Sequence, residues 1–212
     1  RFLELVAPAT AAAAAGSAAV AITPSTSFAL SAAAANLKKE ATAETKVVVL
    51  EGQMSSNVLP WQRNFDEGNI VVVSRHEGEE DWTSAVLLAM GGLPRRSKSV
   101  VAVPHCHWLD GSKLDLAVIS KACRDLDVSL VVDATQSLGA MPLETDGPLP
   151  RLDFLCASVH KWLFGPYGCS PLFVGDERSA KGTLAPLVHD EHSLAMARVY
   201  ADVPFDVDKG KI

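Results

Sequence analysis

Cysteine is scarce in this chain, and the four present, Cys106, Cys123, Cys156 and Cys169, form no C-x-x-C pair and no metal-ligand spacing. Three of them lie in or beside apolar runs, the pattern of buried free thiols in a reducing compartment, and Cys169, just past Gly168, is expected to pack rather than react. Basic clusters are missing too. No run of lysine or arginine exceeds two residues, and 19 basic residues stand against 25 acidic ones, for a net charge of −6 and a pI near 5.5. That balance carries no electrostatic footprint for nucleic acid or for an anionic membrane surface. A long unbroken apolar run is also lacking. The alanine-rich opening through Ile22 is interrupted by Pro8, Thr10, Gly16 and Ser17, with no basic region before it beyond Arg1. It reads as an alanine-rich helix over residues 1–15 feeding a short strand, not as a signal peptide or a membrane span. Neither G-x-G-x-x-G nor G-x-x-x-x-G-K-[ST] follows any predicted strand, which argues against a nucleotide-binding domain. There is no internal repeat.

What is present is ordinary globular material: 212 residues, 48% apolar and 21% charged, enough for one sizeable domain with its own core. Short β-branched runs alternate with helical stretches. Strands are predicted over residues 18–22, 46–50, 69–74, 99–103, 128–132, 154–158 and 171–174, and helices over 28–39, 79–90 and 112–124. Leu114, Val118 and Ile119 are expected to pack the last helix on the sheet. The alternation predicts an α/β fold, three layers αβα around a mostly parallel sheet.

Chemistry-bearing residues collect where these strands end. Residues 128–132 run into Asp133, and open α/β sheets place ligand-binding groups at carboxyl ends of strands. A lone aspartate there can equally cap a helix or form a turn. The 154–158 strand delivers Ser158, His160 and Lys161 to the same edge, although a lone lysine beside an apolar run is most often a solvated one. Ser25, Thr26 and Ser27 stand between a strand and a helix. They can cap free backbone N–H groups or seat a phosphate at the positive helix end, since both uses share one geometry. Met54 follows another strand and is either core or a soft, polarisable wall. His105 and His107 form an H-x-H pair, but no third ligand has suitable spacing, so no metal site is expected. The His189-Asp190-Glu191-His192 stretch reads as a solvated loop rather than a metal cluster.

The combined spelling Asp-Ala-Thr-Gln-Ser-Leu-Gly from Asp133, followed by Ser-Val-His-Lys-Trp-Leu-Phe-Gly-Pro-Tyr-Gly from Ser158, resembles the class V aminotransferase family of fold-type I pyridoxal phosphate enzymes. Cysteine desulfurases, kynureninases and isopenicillin N epimerase-like proteins belong to that group. The resemblance runs from Arg1 to Gly175 and is strongest between His105 and Gly168. It implies a pyridoxal 5'-phosphate cofactor with Lys161 as its Schiff-base lysine and Asp133 on the pyridine nitrogen. It further implies phosphate contacts from Ser25, Thr26, Ser27, Ser158 and His160, and ring-oxygen contacts from Gln136 and His105. Met54 stands where desulfurase-like relatives carry a ring-stacking histidine and the epimerase-like branch a phenylalanine. A thioether can lie on a ring, but it cannot transfer a proton. The desulfurase persulfide cysteine lies in a later loop, so Cys169 is not given that role.

By the same resemblance, residues 1–175 form the cofactor-binding large domain. Residues 176–212 finish it or lead towards a smaller C-terminal domain that this chain does not include. The substrate is expected to be a small amino acid or related amine, and the enzyme a cytoplasmic homodimer. The reaction branch stays open between transamination, desulfuration or elimination, and epimerisation, with a non-catalytic scaffold as the rival from outside enzymology.

Overall fold

The computed structural model describes residues 19–75, 81–143, 151–175, 178 and 183–188. The predicted opening helix and the His189–His192 stretch lie outside them. The sheet has seven strands: β1 (Ala19–Thr23), β2 (Val47–Leu50), β3 (Ile70–Val73), β4 (Val100–Pro104), β5 (Ser129–Asp133), β6 (Phe154–Cys156) and β7 (Ser170–Val174). Their order across the sheet is β1-β7-β6-β5-β4-β2-β3. The run from β6 to β3 is parallel, whereas β7 lies antiparallel to both β6 and β1. Two reversals restore the direction of β1, so its carboxyl end lies at the same edge as those of β4, β5 and β6. The sheet is mostly parallel, as expected.

Helices cover both faces. Helix α1 (Thr26–Glu40) and the short α2 (Leu59–Asn64) pack on one face, and α3 (Trp82–Gly91) and α4 (Leu116–Leu126) on the other. The strands serve both layers by alternation. Val47, Val49 and Val131 join Ala29, Leu30 and Trp61 on the α1 side, while Val48, Leu50, Leu130 and Val132 join Val86, Met90 and Ile119 on the α3 side. Being buried on both faces is what makes the strand sequences near-continuous aliphatic runs. Each fully buried valine or leucine contributes about 1.5–3 kcal/mol of transfer free energy.

Among the boundaries that depart from the sequence reading, three bear on the site or on the helix packing. Helix α1 begins at Thr26, because Ser25 Oγ accepts the Phe28 N–H at 3.1 Å and so caps it two residues early. Helix α4 begins only at Leu116, because Asp115 accepts the Val118 N–H at 3.0 Å. Its inward stripe is therefore Leu116, Ile119, Ser120 and Cys123. Val118 is exposed, and Leu114 is buried in the segment before the helix. Strand β6 ends at Cys156, so Ser158 lies beyond the ladder, in the turn that follows. Among the described residues, no helix is long and apolar enough to cross a membrane.

Candidate active site

A cleft of about 330 Å³ opens at the carboxyl edge of β4, β5 and β6. Polar residues line most of it. Ser25, Thr26 and Ser27 enter from the β1–α1 turn, Asp133, Thr135 and Gln136 from the end of β5, and Ser158, His160 and Lys161 from the turn after β6. Met54, Pro104 and Trp108 form the apolar wall. Nine of the ten residues singled out from the sequence thus converge on one cavity.

His105 is the exception. It is buried and faces a separate depression on the α3–α4 side, alongside Thr83, Asp115 and Leu116. Its backbone explains the displacement: the His105 N–H donates to Asp133 O at 3.0 Å, continuing the β4–β5 ladder one residue past the strand. That extension keeps the strand alternation and turns the imidazole away from the cleft. Trp108 takes the wall position instead, with its indole N–H donating to Gly52 O at 2.7 Å. His107 is also buried, with Nε2 3.1 Å from Glu51 O and Nδ1 3.5 Å from Asp110 Oδ1. Among the described residues no group of three His, Cys, Asp or Glu side chains is placed to hold a metal.

The two ends of the cleft differ in chemistry. At one end Asp133 is almost wholly buried, and its Oδ1 accepts the Thr135 N–H at 2.9 Å. Burial pushes its carboxyl above the usual carboxylate value, against the pull of the Thr135 bonds. A buried acid of this kind gains most from a cationic N–H partner. The other end is a nest of hydroxyls at the start of α1. Thr26 Oγ1 lies 2.6 Å from Ser158 Oγ, 3.3 Å from Ser170 Oγ and 3.4 Å from Thr135 Oγ1. First-turn amides of an α-helix have no intrahelical partner, so hydroxyls and N–H groups together make an anion cradle. Ser25 spends its hydroxyl on the cap, leaving Thr26 as the side chain that faces the nest.

Lys161 is exposed at the rim, in a loop that close packing holds in place. Gly139 (φ +95°) lets this loop approach, since a Cβ there would come within 2.6 Å of Trp162 O. A Cβ at Gly165 would meet Val159 Cγ2 at the same distance. Trp162 Nε1 donates to Gln136 Oε1 at 3.4 Å, and the His160 ring stacks on Tyr167 with centroids 4.1 Å apart. Sequence reasoning missed Gln53, Ser56, Trp108, Thr135 and Ser170. Thr135 lies inside the quoted motif, and Ser56 in a stretch spelled like the epimerase-like branch.

The class-V aminotransferase model matches residues 9–189. The chain belongs to that family. A probable cysteine desulfurase from Pyrococcus abyssi is 30% identical over 156 residues, which take in 72% of this chain and 37% of that protein. The chain therefore spans little more than a third of the length of that curated relative. Among solved structures, the apo cysteine desulfurase from Thermococcus onnurineus NA1 superposes with a TM-score of 0.61 at 26% identity, over 74% of this chain and 38% of that one. Oryza sativa TDC, solved with PLP and tryptamine, gives a TM-score of 0.68 at 18% identity over 89% of this chain and 42% of its own, a likeness of fold. Pyridoxal 5'-phosphate is the cofactor of this family, and the cleft fits it: a buried acid at one end, an anion cradle at the other, a lysine at the rim and a flat apolar wall.

Proposed function

We propose that this chain supplies the cofactor-binding part of a pyridoxal phosphate enzyme acting on an amino acid or related amine. The observation that carries the proposal is the convergence of Asp133, Lys161 and the Thr26–Ser158 hydroxyls on one cleft. Bound pyridoxal phosphate supplies an electron sink for a substrate α-carbon. In this reading Thr26, Ser158, His160 and the first-turn amides of α1 bind the phosphate. Asp133 holds a proton at the ring nitrogen, and Gln136 orients the ring oxygen. Met54 and Trp108 cover the ring and exclude water. Lys161 Nζ would hold the cofactor and, when free, would take up and return the proton at the substrate α-carbon.

Desulfuration is the branch that the similarity to the Pyrococcus abyssi protein favours. Met54 at the cleft wall favours branches that need no proton-transferring group at that position. A homodimer belongs to the same proposal. Incubating the protein with pyridoxal phosphate and reducing it with borohydride is expected to place a pyridoxyl group on Lys161, read by peptide mass mapping. The Lys161→Ala variant should carry none. Wild-type protein left unlabelled would overturn the reading.

A further inference from the structure

Thr135 touches both ends of the cleft, through its backbone at the acid and through its hydroxyl at the anion cradle. Its N–H donates to Asp133 Oδ1 at 2.9 Å. Its hydroxyl accepts the Ser158 N–H at 3.1 Å and lies 3.4 Å from Thr26 Oγ1. Ser158 Oγ and Thr26 Oγ1 are themselves 2.6 Å apart, and Thr26 Oγ1 lies 3.3 Å from Ser170 Oγ. Ser170 in turn donates to Ala157 O at 2.9 Å, closing the network back onto the β6 turn. Since the Ser158 amide occupies one lone pair of the Thr135 hydroxyl, its proton remains available to Thr26 or to the Asp133 carboxyl. Thr135, Thr26 and Ser158 thus form a triangle that joins the loop after β5, the helix start and the turn after β6, and of the three it is Thr135 that also bonds Asp133.

We infer that Thr135 is a positioning residue that couples the acid end of the cleft to its anion cradle, so that the two ends bind one ligand as a unit. The inference rests on reading the cleft as the pyridoxal phosphate site. Hydrogen-bonded networks of this kind set geometry jointly, and removing one member misplaces the others. Valine matches threonine in shape but lacks the hydroxyl, so Thr135→Val removes the link with little change of volume. Thr135→Ser keeps it.

The test uses the full-length protein, with pyridoxal phosphate and phosphate-free pyridoxal as the two probes, titrated by absorbance. Thr135→Val is expected to weaken pyridoxal phosphate binding about tenfold, the order of one neutral hydrogen bond lost from the network that positions the cradle. The loss should be smaller for pyridoxal, which engages only the acid end. Thr135→Ser should restore the wild-type affinity, and the urea midpoint of each cofactor-free variant should match wild type. Should valine prevent folding, Thr135→Ala reads the same loss without a branched side chain. Unchanged affinity for both probes in Thr135→Val or Thr135→Ala, or no rescue by serine, overturns the coupling role while leaving the cofactor reading intact. Wild-type protein that takes up neither probe overturns both.

Discussion

Asp133 illustrates how a buried acid is costly once it ionises. Its carboxyl is buried and held above the usual carboxylate value by desolvation, with only Thr135 bonds pulling the other way. The native state of the cofactor-free protein therefore binds this proton more tightly than the unfolded chain does. Stability is fully present below the ordinary aspartate pKa and is lost as pH rises through the native value. Asp133→Asn has no such titration. Urea midpoints of the two cofactor-free proteins, measured across a pH series, are expected to diverge in favour of Asn as pH rises through that window. A parallel pair of curves would show that Asp133 titrates normally. At this scale the spelling of the sequence singled out Asp133, Lys161, Ser158 and His160, and the structure brings all four to one cleft. The spelling misplaced His105 because one extra ladder bond past β4 sets which way the imidazole turns. No motif encodes that bond.

At the scale of elements, the loop after β6 has to come close to the loop after β5, and glycine makes the approach possible. Gly139 combines a positive φ with backbone contact to Trp162, so any Cβ there is both strained and obstructed. Gly139→Ala is expected to cost about 1–3 kcal/mol of stability. It should also push the Lys161 loop outward, lowering the rate of pyridoxyl labelling in the same preparation. Thermal melts and labelling time courses would check the two effects separately. Helix caps carry a related lesson. Ser25 and Asp115 each decide where a helix starts, and each shifts its neighbours' roles: Thr26 inherits the nest that Ser25 vacates, and Val118 turns to solvent. Hydrophobic periodicity located both helices but did not locate their first residues.

Across the whole molecule, two described residues beyond β7, Arg178 and Ala185, are tied back by polar latches. Arg178 is buried, donating from Nε and Nη2 to Asp153 Oδ1 at 2.9 and 2.7 Å and from Nη1 to Glu40 Oε1 at 2.6 Å. It thereby joins three parts of the chain, the end of α1, the start of β6 and the stretch after β7. Asn36 adds a paired contact with the Ala185 backbone, at 2.9 and 2.8 Å. Arg178, Leu184 and Ala185 thus lie against α1 and the sheet. Arg178→Met leaves Asp153 buried with one cation fewer, and is expected to destabilise the protein by about 3 kcal/mol in urea unfolding. Its effect on cofactor labelling should be small, since the latch lies at the edge of the sheet opposite the cleft. A loss below about 1 kcal/mol would show that Arg151, 2.9 Å from Asp153, suffices as its partner.

The sequence by itself determined the layer architecture, because strands buried on both faces must be written as aliphatic runs and covering helices as stripes. It also determined the cofactor class, through the spelling around Asp133 and Lys161. Only the tertiary structure decided which side chains share the cleft. Trp108 and Thr135 joined it, Ser170 backs it through Thr26, and His105 lies outside it. Those placements depend on strand register and on where each ladder stops, and a shift of one residue reverses the face on which a side chain appears.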